Sequence, residues 1–164
     1  MLKYIETMVT FAEIPDEISL CVNISNCPCH CVGCHSSHLA QDIGEPLTVE
    51  TLKYLIEKNK GITCVSFMGG DSDPSYINYM AMNVKFYYPK LKVAWYSGRE
   101  SVSNSVFIGN FNYVKIGPYI PERGPLDNPN TNQILYQVLY DYKKEKYKLN
   151  DITFKMQTKN TLSL

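Results

Sequence analysis

The 164-residue chain reads as an α/β fold built on a mostly parallel sheet, and three observations predict it. Short apolar runs alternate with stretches of helical period along most of the sequence. Each apolar run closes on glycine-bearing turn chemistry or, in one case, on a cysteine-rich loop. The resulting order is strand, loop, helix, strand, helix, strand, short helix, strand, and crossovers of that kind are right-handed and join parallel strands.

Each element has its own reason. Ile18 to Ile24 alternates as a first strand. A helix is expected from Thr48 to Lys58, because Val49, Leu52, Leu55 and Ile56 share one stripe, and Gly61 ends it. Cys64 to Met68 is a short β-rich run closed by Gly69-Gly70-Asp71. The next helix starts near Pro74, with Asp71, Ser72 or Asp73 available as cap. It buries Ile77, Met80, Ala81 and Val84, and Pro89 marks its end. Lys92 to Tyr96 reads as a third strand closed by Ser97-Gly98, and Tyr113 to Ile116 as a fourth closed by Gly117-Pro118. A loop rich in Pro, Asn and Gly runs from Pro121 to Asn132. A last helix is expected with Ile134, Leu135, Val138, Leu139 and Tyr142 on one face, and the tail near Ile152 to Phe154 adds an edge strand.

Composition limits the function classes. With 45% hydrophobic and 20% charged residues, the chain is ordinary globular material and not a disordered one. No repeat, low-complexity tract or long linker divides it, so residues 1–164 are expected to form one domain. Sixteen basic side chains balance sixteen acidic ones, which gives no sign of nucleic-acid binding. No apolar stretch approaches the roughly 20 residues of a membrane span. Met1 to Thr10 carry Lys3 and Glu6 in place of an apolar signal core, so a cytoplasmic location is expected.

Cysteine usage points to chemistry. Four of the six cysteines, Cys27, Cys29, Cys31 and Cys34, fall within eight residues. Spacings this tight are poorly suited to pairing with one another, and a reducing compartment disfavours bridges, so the cluster reads as a metal site. Cys27, Cys31 and Cys34 have the spacing C-x3-C-x2-C, which suits an iron–sulfur cluster whose irons are spread across the loop. Three thiolates leave one iron of a four-iron cluster open. The rival metal is zinc, with the Cys31–Cys34 knuckle completed by Cys27 or Cys29 and one of His30, His35 and His38; no second knuckle follows downstream. Cys29 is out of phase with the triple and reads as a bystander, while Cys21 and Cys64, each within a strand, read as buried thiols. If the strands are parallel, the thiol loop, Gly69-Gly70-Asp71 and Ser97-Gly98 all leave one edge of the sheet and meet there.

Taken in order, Cys27-Pro28-x-x-Cys31-x-Gly33-Cys34-His35-Ser36, Met68-Gly69-Gly70-Asp71, Trp95-Tyr96-Ser97-Gly98 and Gly117-Pro118-Tyr119 resemble the radical S-adenosylmethionine enzymes. Within that superfamily the similarity is greatest to the activating proteins of anaerobic ribonucleoside-triphosphate reductase. It runs from about Ile18 to Gln133, with Ile116 where the family often has Asp and Ile134 where it has Arg. The resemblance implies a partial β/α barrel. It further implies a [4Fe-4S] cluster on Cys27, Cys31 and Cys34, with S-adenosylmethionine chelated to the open iron. Backbone of Gly69 and Gly70, with the Asp71 carboxylate, would meet the ligand ammonium; Gly33 and His35 would pass along the adenine and sulfonium; Ser97 would hydrogen-bond the ligand or serve as a turn former. The implied partners are a large reductase subunit that carries a glycyl radical and an electron donor such as a flavodoxin. No side chain beyond the cluster ligands is expected to act as acid or base.

Overall fold

A computed structural model describes residues 1–158 of the chain. It contains an eight-stranded mixed sheet in the order β3-β1-β2-β4-β5-β6-β7-β8. The strands are β1 Lys3–Thr10, β2 Ser19–Ile24, β3 Glu45–Pro46, β4 Cys64–Met68, β5 Lys92–Tyr96, β6 Tyr113–Ile116, β7 Ile134–Asp141 and β8 Lys146–Asp151. The helices among the described residues are α1 Val49–Lys58, α2 Pro74–Tyr87 and the short α3 Phe154–Thr158. Single 3-10 turns lie at Ser37–Ala40 and Ile108–Asn110.

This overturns the expectation of a mostly parallel partial barrel. Three pairings at the centre, β2–β4, β4–β5 and β5–β6, are parallel. The four flanking ones, β1–β2, β1–β3, β6–β7 and β7–β8, are antiparallel and outnumber them. The expected last helix is strand β7. Ile134-Leu135-Tyr136-Gln137-Val138-Leu139-Tyr140 is rich in β-branched and aromatic residues, and that composition suits a pleated surface as well as its period suits a helix. Pairing on both sides, to β6 and β8, decides in favour of the strand. The edge strand of the tail lies earlier than expected, at Lys146–Asp151, and Phe154 opens α3. Ile152 is instead buried, its N–H donating to the Leu135 carbonyl at 2.9 Å.

The central elements form where local chemistry places them. Thr48 caps α1 by accepting from the Thr51 N–H at 3.0 Å, and Asp73 caps α2 by accepting from the Tyr76 N–H at 3.1 Å with Pro74 directly behind it. Asp71 is thereby left free of capping. Alternate residues of β2, β4 and β5 (Leu20, Val22, Ile24; Val65, Phe67; Val93, Trp95) pack under Leu52, Leu55 and Ile56 of α1 and Ile77, Met80 and Val84 of α2. The opposite face of the sheet carries a smaller core of Ile14, Cys64, Ala94, Tyr113, Leu126, Leu135, Ile152 and Met156. Cys21 and Cys64 are buried as expected, and burial pushes each thiol up to about 12.

A buried carboxylate stitches the far end of the parallel strands. Glu17, just before β2, accepts from Thr63 Oγ1 at 2.6 Å, from the Tyr113 hydroxyl at 3.0 Å, and from Lys92 in a short ion pair. One side chain thus ties the entries of β2, β4, β5 and β6, at the edge opposite the thiol loop.

Candidate metal centre

The thiol loop begins where β2 ends, and its base is anchored on both sides. The Asn26 N–H donates to the Gln41 carbonyl and the Cys27 N–H to the Leu39 carbonyl, both at 2.9 Å. Leu39 is buried in its 3-10 turn and holds that return segment against the protein. Within the loop, Asn26 (φ 59°), His30 (φ 45°) and Gly33 (φ 71°) take left-handed conformations, so the chain reverses several times in a short span. A Cβ on Gly33 would stand 3.3 Å from Pro121 and 3.6 Å from Tyr119, so the loop packs against the segment after β6. Cys27, Cys29, Cys31 and Cys34 are all free thiols, half-buried.

The expected convergence at the exits of the parallel strands is present. Asp71, after β4, accepts at Oδ1 from Ser97 Oγ at 2.6 Å and at Oδ2 from the Gly98 N–H at 2.8 Å, both after β5. Cys29 of the thiol loop reaches the same Oδ2 at 3.7 Å. Three loops distant in sequence therefore meet on one buried carboxylate, 4% exposed. Burial, then Asp71, then Cys27 push the Cys29 thiol up to about 12, so it remains a neutral donor to that carboxylate.

Ser97 is itself buried and also accepts from the Arg99 N–H at 3.0 Å, so its hydroxyl is committed inside the protein. Ser97→Ala is therefore expected to cost about 1.5–3 kcal/mol, the range for a hydrogen bond to a charged group. Urea unfolding measures it; an unchanged midpoint would show that the carboxylate has another donor at hand.

Gly69 and Gly70 take φ values of 98° and 90°. The Gly69 N–H donates to the Tyr96 carbonyl and its carbonyl accepts from Trp95 Nε1, both at 2.9 Å. A Cβ on Gly70 would fall 2.5 Å from Ile77 Cδ1. Backbone conformation and the approach of α2 thus require these glycines within the protein itself.

A cavity of about 470 Å³ opens on the sheet face opposite α1 and α2. Its lining includes Cys34 and His35 of the thiol loop, Met68, Tyr96 and Lys115 of the central strands, and Tyr119, Leu126 and Met156. Gly69, Gly70, Asp71 and Ser97, expected to contact a ligand, are not among the residues that line it. The His35 and Tyr119 rings lie 5.7 Å apart, closing the thiol loop against the segment after β6. Lys115 is the residue that sequence reasoning missed. The signal was present, a lone charge inside the apolar run Tyr113–Ile116, and a buried charge is the informative exception in a core strand. Its pKa is lowered by burial, against which Asp71, Cys31, Cys29 and Cys34 act to hold the ammonium charged.

The donor set fits a multi-iron cluster. A tetrahedral zinc ion needs its ligands about 2.0–2.3 Å from one point. Among the described residues no three His, Cys, Asp or Glu side chains surround such a point. A four-iron cluster asks instead for thiolates at separate irons, and Cys27, Cys31 and Cys34, free and half-buried in one anchored loop, would be the residues to hold it. No curated protein and no solved structure matches the chain. Residues 18–104, just over half of it, match the family described as 4Fe-4S single cluster domain, a span that starts at the first central strand and takes in the thiol loop, Asp71 and Ser97. With the thiol triple, its anchored loop and the meeting of the strand exits all inside that span, the chain belongs to the 4Fe-4S single cluster domain family and is an iron–sulfur protein.

Proposed function

We propose that this iron–sulfur protein is a radical S-adenosylmethionine activating enzyme: it reductively cleaves S-adenosylmethionine to a 5′-deoxyadenosyl radical and generates a glycyl radical on the large subunit of an anaerobic ribonucleoside-triphosphate reductase. The observation that carries the reading is the meeting of the thiol loop with the Gly69-Gly70-Asp71 and Ser97-Gly98 exits around Asp71, next to a cavity of about 470 Å³. That volume lies within the roughly 300–1,000 Å³ of small-molecule sites. The motif resemblance names the ligand; the cavity supplies space for it.

A bound four-iron cluster supplies one-electron transfer to a sulfonium. Cys27, Cys31 and Cys34 would hold it. Cys34 and His35 stand where the thiol loop meets the cavity, so a ligand there lies beside the loop. Asp71 ties the three strand exits together from beneath the cavity, through Ser97, Gly98 and Cys29. Met68, Tyr96, Leu126 and Met156 give the cavity apolar surface against which a reactive radical would lie. A flavodoxin-type donor would deliver the electron, and the cytoplasm is the compartment in which free thiols of this kind persist.

The test is anaerobic mixing of reconstituted protein with the reductase large subunit, a low-potential reductant and S-adenosylmethionine. The expected result is 5′-deoxyadenosine and methionine in solution together with a glycyl electron spin resonance signal on the reductase. Cleavage without that signal would assign the same chemistry to another substrate. No cleavage by protein that holds its cluster would end the reading.

A further inference from the structure

Lys115 is buried, 9% exposed, in β6 on the face that carries the cavity. Its ammonium donates to the Gly117 carbonyl at 2.9 Å and the Ser97 carbonyl at 3.4 Å, which uses two of its three donors. None of the ion pairs among the described residues involves it. Asp71, the nearest carboxylate in effect, is already engaged by Ser97, Gly98 and Cys29. A buried ammonium with no direct anion is expensive, so such a residue is kept where an anion arrives. Cys34 of the triple lines the same cavity as Lys115, and Asp71, Cys31, Cys29 and Cys34 all favour its charged form. A coordinating thiol is deprotonated. Cluster assembly therefore places negative charge beside Lys115 in a low-dielectric site, and each electron taken up adds one more.

We propose that Lys115 is a positioning charge for the cluster: its buried ammonium, pinned by two carbonyl oxygens beside the thiol loop, is the fixed counter-charge that raises the cluster's reduction potential. The inference rests on Cys27, Cys31 and Cys34 being the ligands. Net charge and burial around a cluster are established levers on its potential, and a cation favours the form that carries the extra electron.

Anaerobically reconstituted wild type, Lys115→Gln and Lys115→Arg are compared by potentiometric titration followed by electron spin resonance of the reduced cluster, with a soluble one-electron reductant. Gln keeps a donor for the two carbonyls and removes the charge; Arg keeps the charge. In Lys115→Gln the ratio of reduced to oxidised cluster at a fixed poise is expected to fall at least tenfold, a midpoint 59 mV more negative for a one-electron couple. Lys115→Arg should stay within half of that shift. Equal potentials in wild type and Lys115→Gln, or equal shifts in both variants, would overturn the proposal. Lys115→Met takes the place of Lys115→Gln should the latter not fold. Failure of both neutral variants to fold or to take up iron assigns Lys115 to folding or assembly and overturns it equally. Iron and sulfide content is read first: wild type without a cluster defeats the ligand assignment, whereas a cluster of unchanged potential defeats only the role of Lys115.

Discussion

Cys27→Ala, Cys31→Ala and Cys34→Ala are each expected to lose the four-iron cluster after anaerobic reconstitution, with iron and sulfide contents falling to near zero and the brown chromophore absent. Reductive cleavage of S-adenosylmethionine should vanish with it. Cys29→Ala should retain both. The difference follows from chemistry and placement. A cluster held by three thiolates has no spare protein ligand, so removing one leaves two irons without protein anchors. Cys29 faces inward instead, its thiol on Asp71 Oδ2 and beside Gly98, where an added Cβ would lie 2.7 Å from the sulfur. Loss of the cluster in Cys29→Ala together with its retention in any one of the triple would reverse the assignment. All four variants should keep the fold, because the loop contributes none of the buried side chains of the two cores, and far-ultraviolet circular dichroism checks that directly.

Lys92→Met is expected to destabilise the protein by about 1–3 kcal/mol, the cost of leaving a buried acceptor short of one partner. Lys92 is itself half-exposed on its side chain, at 47%, whereas Glu17 is 4% exposed, so the cost arises from the carboxylate left behind. Burial raises the Glu17 pKa, but the hydrogen bonds from Lys92, Thr63 and Tyr113 outweigh it and leave the carboxyl below its ordinary value of 4.5. A depressed carboxyl contributes stability that is present above the unfolded pKa and is lost as pH falls through the folded one. Wild type should therefore lose stability below about pH 4.5. In Lys92→Met the folded carboxyl titrates higher, so the acid-side loss should shrink or reverse. On the alkaline side the Glu17 contact, opposed by burial, holds Lys92 above 10.5, and its contribution persists until pH rises through that raised value. Urea unfolding at a series of pH values reads all of this; an unchanged acid slope in the variant would show that Glu17 does not bear the linkage.

Much of the centre of the molecule was legible residue by residue. β2, β4, β5 and β6 lie within a residue of where the apolar runs put them, and α1 and α2 begin at the Thr48 and Asp73 caps. These elements are specified locally: a cap, a stripe of four apolar residues and a closing turn act over fewer than fifteen positions. The same locality made the thiol loop readable, because its donors are adjacent in the chain. The meeting of the strand exits was also legible, as a consequence of the parallel order of those four strands.

Local pattern determined less at the flanks. Lys3–Thr10 carries no strong alternation and becomes a strand through pairing with β2, while Ile134–Asp141 has apolar positions that serve either period and becomes one through β6 and β8. That choice is made by hydrogen bonds to residues far away in sequence, and it converts a mostly parallel sheet into a mixed one. The surroundings of Asp71 and Lys115 were decided the same way. Which carboxylate is met by Ser97, Gly98 and Cys29, and whether a lysine in an apolar strand reaches water or lies beside a thiol loop, depend on three-dimensional proximity. The chain by itself thus determined the cysteine-rich loop and the four central strands, since those are written in neighbouring residues. Only the tertiary structure decided the antiparallel flanks, the closed carboxylate network and the buried charge, since burial and long-range pairing are properties of the assembled sheet.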